Sequence, residues 1–296
     1  MIDTRTYDDR DGWIWFDGKL VPWREANVHI LTHAMHYASS VFEGQRAYNG
    51  TIFKLRQHSE RLINSARLLG FDLPWSAEQI DAACNEVLQA NGLTDAYVRP
   101  VAWRGSEQMG VSAQATKPHM AVACWEWGKY FDPAIAAKGL RLDIAPWRRP
   151  APHTAPVHSK AAGLYMIATL SKHHAEARGY NDALMFDYRG QVAEATGANA
   201  FFLKDGVLHT PTPDCFLNGI TRQTVIEIAT RRGVQVVERA IWPEELEGFE
   251  QMFITGSAAE VTFIQSAGPW TFEVGDFSRQ IAKDYDDLVN GRLPNN

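Results

Sequence analysis

Two short apolar runs open the chain. Trp13–Phe16 and Lys19–Trp23 flank Asp17-Gly18, a pair that tolerates the positive φ angles of a two-residue hairpin. The same pattern recurs at Gln45–Tyr48 and Thr51–Leu55 around Asn49-Gly50. Leu62, Ile63, Ala66 and Leu69 then follow helical spacing. Ser76 stands three residues before Gln79, the spacing of a capping box. The helix it opens turns Ile80, Ala83, Cys84, Val87 and Leu88 inward and stops at Asn91-Gly92. Ala96–Trp103 and His119–Trp125 read as strands, joined by a loop that carries Met109-Gly110-Val111.

Gly128, Pro133 and Gly139 punctuate the next stretch, which reads as a connection. A strand at Leu140–Ala145 and a Pro-rich loop lead to Lys160. Leu164, Ile167, Ala168 and Leu170 begin an amphipathic helix that ends near Arg178-Gly179. Four short strands follow: Ala183–Asp187, Gln191–Ala193, Ala200–Lys204 and Val207–Thr210. Gly219 starts a helix with Val225, Ile226 and Ala229 inward, closed by Gly233. Strands at Gln235–Arg239, Gln251–Thr255 and Val261–Ser266 precede a last helix over Phe277–Leu288. Strands and helices mix without repeated βαβ units, which predicts an α+β fold. The expected division is a domain over 1–126, an interdomain loop over 127–139 and a domain over 140–296.

Composition narrows the function classes. The 296 residues are 45% hydrophobic and 22% charged, as in an ordinary soluble chain. A net charge of -6 without a basic block argues against nucleic-acid binding. No apolar run reaches membrane-spanning length, and the polar start MIDTRTYDDRDGW lacks a signal-peptide pattern. A cytoplasmic protein is expected. The three cysteines, Cys84, Cys124 and Cys215, form no disulfide framework or zinc pattern. His33 with His36 and His173 with His174 make no recognisable metal set, so no metal is expected.

Lys160 is the first chemical candidate. Ala161, Ala162 and Gly163 beside it let other groups approach, a setting that can desolvate an ammonium. Such a lysine can form a Schiff base with an aldehyde. Glu194 lies in a second nest of small residues, Ala195 to Ala198. Gly219-Ile220-Thr221, at a helix start, and the turn Gly256-Ser257-Ala258-Ala259 are either anion sites or plain caps. No dinucleotide fingerprint, P-loop or GxSxG motif is present.

Several ordered segments resemble those of the class IV pyridoxal-phosphate aminotransferases, in particular the bacterial branched-chain enzymes. They are HYASSVFEGQRAY, AYVRPVAWRGSEQMGV, the stretch from Lys160 to Tyr165, VAEATGANAFF, GITR and TGSAAEVT, spread over nearly the whole chain. The resemblance implies a two-domain fold type IV enzyme: a smaller N-terminal α/β domain and a larger domain with a β-barrel-like core. It implies pyridoxal 5'-phosphate as cofactor, held covalently by Lys160, which also moves the substrate Cα proton. Glu194 is implied to pair with the ring nitrogen, where a carboxylate keeps the ring an electron sink. Tyr165 would face the phenolic oxygen, and Arg61, Ile220, Thr221 and Ser257 the phosphate, with Asn199 also in the cofactor set. Ser257, Ala258, Tyr97, Arg99 and Arg46 would meet the substrate, and Tyr37, Phe42, Val111, Trp127 and Tyr130 its side chain. Tyr37 and Val111 are implied to reach in from a neighbouring subunit of a homodimer or higher oligomer.

The implied reaction moves an amino group between a branched-chain L-amino acid and 2-oxoglutarate by a ping-pong route. Trp103, Arg104, Glu107, Gln108, Ala195, Ala198, His158 and Ser159 depart from the usual branched-chain pattern. A transaminase of D-amino acids or (R)-amines is the alternative on the same fold. An aminodeoxychorismate lyase and a non-catalytic scaffold are further alternatives, opposed by the apolar pocket and by the retained Lys160, Glu194, Tyr165 and Arg61 respectively.

Overall fold

The computed structural model describes residues 5–293. Part of the polar N-terminal stretch, residues 1–4, lies outside them. The chain forms two compact units. One comprises the described chain up to Gly128 together with Ser159–Leu164; the other comprises Lys129–His158 and the chain from Tyr165 onward. The segment around Lys160 thus packs with the first unit.

The first unit is built on a seven-stranded sheet. Its strands are β1 (Trp13–Phe16), β2 (Lys19–Pro22), β3 (Ser40–Phe42), β4 (Gln45–Tyr48), β5 (Thr51–Ile52), β6 (Ala96–Arg104) and β7 (Pro118–Glu126). They run antiparallel in the order β2-β1-β7-β6-β4-β5, and β3 also pairs with β6. The helices are α1 (His33–Tyr37), α2 (Leu55–Leu68) and α3 (Ala77–Ala90). Strand side chains alternate faces. Val41, Ala47, Ala96, Val98 and Ala102 join Leu62, Ala66, Ile80, Val87 and Leu88 of the helices in one core. The intervening residues of β6, Tyr97 and Arg99, therefore belong to the opposite face. Asp17 and Gly18 adopt the positive φ angles their hairpin requires, 47° and 103°.

The second unit contains α4 (Pro133–Lys138), β8 (Leu140–Ile144), α5 (Tyr165–Ala177), β9 (Asp182–Phe186), β10 (Val192–Ala195), β11 (Asn199–Lys204) and β12 (Val207–Pro211). α6 (Ile220–Arg231), β13 (Val236–Arg239), β14 (Gln251–Gly256), β15 (Glu260–Ala267), β16 (Trp270–Thr271) and α7 (Asp276–Val289) complete it. Strands β10-β9-β8-β15-β14-β11 are neighbours in that order, and β10 also pairs with β11, closing a six-stranded barrel. Leu140, Leu142, Leu184, Ala200, Phe202, Met252, Ile254 and Ile264 belong to its core.

Three local expectations change. The connection at 127–139 contains α4, because Asp132 caps the N–H groups of Ala134 and Ile135 and Pro133 occupies the first helical turn. On α5 Leu170, one of the apolar positions of the expected amphipathic helix, is exposed, as is Met166, while Ala168, Ser171 and Ala175 are buried. Small residues thus form the packed face of this helix. On α6, Ile228 is buried and Ile226 only half-buried.

The capping box of α3 is formed in full. Ser76 Oγ accepts from Gln79 N–H at 3.3 Å, and Gln79 Oε1 accepts from Ser76 N–H at 2.8 Å. Ser76→Ala is expected to lower unfolding stability by about 1 kcal/mol. A urea titration checks this: the midpoint falls at constant slope, and an unmoved midpoint contradicts the capping role.

Candidate active site

Register determines what the second face of the first sheet carries. Phe42 lies opposite Val101, and Arg46 and Trp125 lie opposite Tyr97. Directly opposed residues share a face, so Phe42, Arg46, Tyr97, Arg99 and Trp125 do too. Arg99 Nη2 donates to the Tyr97 hydroxyl at 3.0 Å. The Tyr97 ring lies 5.2 Å from that of Trp125 and 4.7 Å from that of Trp127. Gly44 is required here: a Cβ on it would stand 2.0 Å from the Tyr97 hydroxyl. Arg46 is buried with its guanidinium over the Tyr48 ring.

Lys160 approaches the same group. Its Nζ lies 5.1 Å from the centroid of the Phe42 ring, and the Arg99 guanidinium lies 4.6 Å from that centroid. Its backbone is held twice. The Lys160 N–H donates to Ser65 Oγ at 3.0 Å, and its carbonyl accepts from Phe42 N–H at 3.1 Å. Ser159 is buried and donates to the Ser65 carbonyl at 2.9 Å. This accounts for a serine before the lysine; His158 is exposed, and nothing in the structure explains it. Gly163 passes within 3.0 Å, measured from an added Cβ, of Ala38 Cβ.

Beneath this face lies a buried charge cluster. Glu43 is fully buried and takes a two-pronged contact from Arg61: Nε to Oε1 at 2.6 Å and Nη2 to Oε2 at 2.8 Å. His58 Nδ1 lies 2.6 Å from Glu43 Oε2. Burial alone raises the Glu43 carboxyl, but the Arg61 charge, with His58, outweighs it and holds the group well below the usual carboxylate range. Burial pushes His58 below its ordinary value, against the pull of Glu43. Neutral His58 then donates from Nδ1, since an ionised carboxylate only accepts, and Arg61 supplies the lasting positive charge.

Tyr37 and Val111 are both exposed, Val111 at 88%. His33 joins their segments: it stacks on Tyr37 at 4.6 Å, and its Nε2 lies 2.9 Å from the Gly110 carbonyl. The residues before Val111 brace the loop and tie it to its surroundings. Arg104 donates to the Gly70 and Ala113 carbonyls at 2.6 and 3.0 Å, and Gln108 Oε1 accepts from Ala115 N–H at 2.9 Å. Glu107 accepts from Lys117 N–H, and Trp103 stacks on His119.

In the second unit the barrel closure aligns Glu194 with Asn199, and β14 aligns Thr255 with Asn199. Asn199 Nδ2 donates to Glu194 Oε2 at 3.1 Å and to the Leu217 carbonyl at 3.0 Å; its Oδ1 accepts from Gly219 N–H at 3.2 Å. One side chain thus joins the carboxylate to the start of α6. Gly219 caps α6 with no side chain over the N–H groups, and Ile220 and Thr221 begin it. A Cβ on Gly219 would meet Asn199 Oδ1 at 2.3 Å. Arg222 is buried and fixes this end through Asn218, Thr210, the Pro211 carbonyl and Glu238.

Ser257 and Ala258 form the turn between β14 and β15, which Thr262 braces by donating to the Ala259 carbonyl at 2.6 Å. Ala258 and Tyr130 line a cavity of about 230 Å³ with Phe131 and Val261. Lys129 Nζ lies 2.7 Å from Glu260 Oε2 at its edge. Tyr165 is half-buried at the start of α5.

These residues suit a phosphorylated cofactor. The start of α6 offers N–H groups and a positive dipole end to a phosphate. Thr255 Oγ1 is buried without a hydrogen-bond partner. Among the described residues, Asp187, Asp214 and Cys215 form the one group with metal-ligand spacing, and Arg189 Nη2 already lies 2.5 and 2.8 Å from the two carboxylates. Also among the described residues, no helix is long and apolar enough to cross a membrane.

Sequence reasoning missed Glu43, His58 and Ser65. The spacing His58-x-x-Arg61 was a usable signal, because i and i+3 share a helix face. Nothing local singled out Glu43, whose partners lie fifteen and eighteen positions on.

With this geometry in view, comparison with known proteins is decisive at the family level. The chain belongs to the class IV aminotransferases: the model of amino-transferase class IV matches residues 40–267. It is 43% identical to a probable branched-chain-amino-acid aminotransferase of Rickettsia felis over 93% of this chain and 95% of that protein. It is similar to the branched-chain aminotransferase of Thermoproteus uzoniensis solved with norvaline, at TM-score 0.91 and 37% identity over 96% of each chain. It is also similar to the T.th. branched-chain amino acid aminotransferase complexed with N-(5'-phosphopyridoxyl)-L-glutamate, at TM-score 0.91 and 36% identity over 96% of each chain.

The buried cluster yields a pH prediction. Glu43 and His58 both titrate below their ordinary values of 4.5 and 6.5. Their stabilisation is therefore complete above those values and is lost as pH falls through the depressed ones. Stability should decline from pH 6.5 and fall further below 4.5. Glu43→Gln should cost about 3 kcal/mol at neutral pH by leaving Arg61 without its carboxylate. It should also flatten the decline below 4.5. Urea midpoints across this range test it; the same acid slope in both proteins would sink the idea.

Proposed function

We propose that this class IV aminotransferase uses pyridoxal 5'-phosphate to exchange an amino group between a branched-chain L-amino acid and 2-oxoglutarate. The supporting observation is the arrangement at Lys160: its backbone is held at both N–H and carbonyl, and its amine lies on the ring that also carries Arg99. A fixed main chain with a mobile four-carbon stem suits a group that must first anchor and then act as a base.

When bound, the cofactor supplies an aldehyde and an electron-withdrawing ring. Lys160 Nζ serves as the covalent anchor and afterwards holds and moves the substrate Cα proton. Glu194 accepts at the ring nitrogen, with Asn199 fixing its orientation. Tyr165 directs its hydroxyl to the phenolic oxygen. Arg61, Ile220, Thr221 and Ser257 hold the phosphate. Ser257, Ala258 and Tyr97 receive the substrate carboxylate, and Arg46 and Arg99 add positive charge for it. Because Tyr97 already accepts from Arg99, its own proton is available to donate.

Phe42, Trp127 and Tyr130 supply an apolar, aromatic surface for the substrate side chain. Such a surface separates Val, Leu and Ile weakly, since one methylene is worth only ~1–3 kcal/mol. The relatives named above support this substrate class, and the phosphopyridoxyl-glutamate complex of one supports the glutamate and 2-oxoglutarate pair. The reaction then runs as two half-reactions in ping-pong order. A homodimer is the minimum assembly in this reading, and a cytoplasmic setting suits it. Its support is the exposed apolar run Ile30, Leu31, Met35, Tyr37 and Val111, a surface that a second copy would cover.

Lys160→Ala is expected to lose the visible band of lysine-bound cofactor and to lower turnover by about 10⁴-fold. Half-reactions with L-leucine, L-glutamate, D-alanine and (R)-1-phenylethylamine test the substrate. Loss of the band with the first two supports the proposal. Reaction with D-alanine but not L-leucine would replace it with a D-amino acid enzyme.

A further inference from the structure

We infer that Arg149 is a positioning residue for Glu194, holding that carboxylate anionic and acceptor-only where it meets the cofactor's ring nitrogen. The inference rests on the proposed role of Glu194. Arg149 follows β8, and its N–H donates to the Phe186 carbonyl at 2.8 Å, which fixes its backbone against the end of β9. Its side chain is only 7% exposed, and Nε lies 3.4 Å from Glu194 Oε1. The contact is not an aligned hydrogen bond; Nε has no hydrogen-bond partner. What acts on Glu194 is therefore chiefly the charge.

Asp187 and Cys215, which also lie near Arg149, are committed or uncharged. Asp187 accepts from the Arg189 Nε at 2.7 Å and from the N–H groups of Arg189 and Gln191 at 2.8 and 2.9 Å. Burial pushes the Cys215 thiol up to about 12, so it carries no charge at neutral pH. Among the described residues, Glu194 is the one ion-pair partner of Arg149.

Each Glu194 oxygen thus has its own neighbour, Arg149 at Oε1 and Asn199 at Oε2. Asn199 is neutral and sets orientation. A guanidinium is a permanent positive charge in proteins. A permanent positive charge beside a carboxylate lowers its affinity for a proton. A proton shared between Glu194 and the ring nitrogen then stays on nitrogen. Without Arg149, the carboxylate would compete for it.

The test reads proton position directly. Holoenzyme is reconstituted with pyridoxal 5'-phosphate labelled with ¹⁵N in the ring, and the nitrogen shift is recorded for wild type, R149M, R149K and E194Q. The expected result is a protonated nitrogen in wild type and R149K, and a shift toward the unprotonated position in R149M and E194Q. Should R149M fail to fold, R149Q replaces it with the same expectation. A wild-type shift in R149M or R149Q, with E194Q moved, overturns the role of Arg149 alone. Equal movement in R149K and R149M also overturns it, since charge would not be what matters. An unmoved E194Q instead removes the proposed role of Glu194, and the inference with it.

Discussion

Closure of β10 onto β11 is the constraint on which the second unit depends. A closed sheet has no free edge, so every strand in it is paired on both sides. The turn that makes the closure is tight: Ala195 N–H donates to the Ala198 carbonyl at 2.8 Å. Ala195 and Ala198 are buried, and a Cβ on Gly256 would lie 3.2 Å from the Gly197 carbonyl. Small residues are needed there because strands and turn meet without room for larger ones. The same closure places Glu194 opposite Asn199, and Asn199 reaches the start of α6. A carboxylate and a helix N-terminus are thereby built on one rigid frame, as a preorganised site requires.

The first unit solves a different problem. It buries Glu43 completely, a costly act unless the charge is matched. Arg61 matches it with two contacts, which also fix the guanidinium. Arg61 and Ser65 lie four positions apart on α2 and so share a helix face. One helix thus carries both the charged fork and the hydroxyl that holds the Lys160 N–H. Loss of packing in α2 would disturb both together.

How much of this was legible in the sequence depended on the distance between interacting residues. The Asp17-Gly18 turn and the Ser76 capping box were plain, because both are written within four residues. β6 and β7 read as strands from their apolar runs, and the two-residue period of a strand puts Tyr97 and Arg99 on one face. The helix α4 was hidden by Pro133, read as a break although Asp132-Pro133 is also a helix start. Lys160 and Glu194 drew attention by their small neighbours, yet local sequence alone left their roles open; the family resemblance supplied the rest. Arg149 was unmarked: it lies in an Arg148-Arg149-Pro150 stretch that looks solvated, and its partner is 45 positions away (194 − 149). Buried charge pairing is a tertiary property, and no periodicity announces it.

The claim that carries most weight is that Lys160 is the covalent anchor of the cofactor. Borohydride reduction of the holoenzyme, followed by peptide mapping by mass spectrometry, tests it most directly. The account predicts a phosphopyridoxyl group on the peptide containing Lys160, near one per chain. The same group on a different lysine, or none on a protein that holds cofactor, would contradict it.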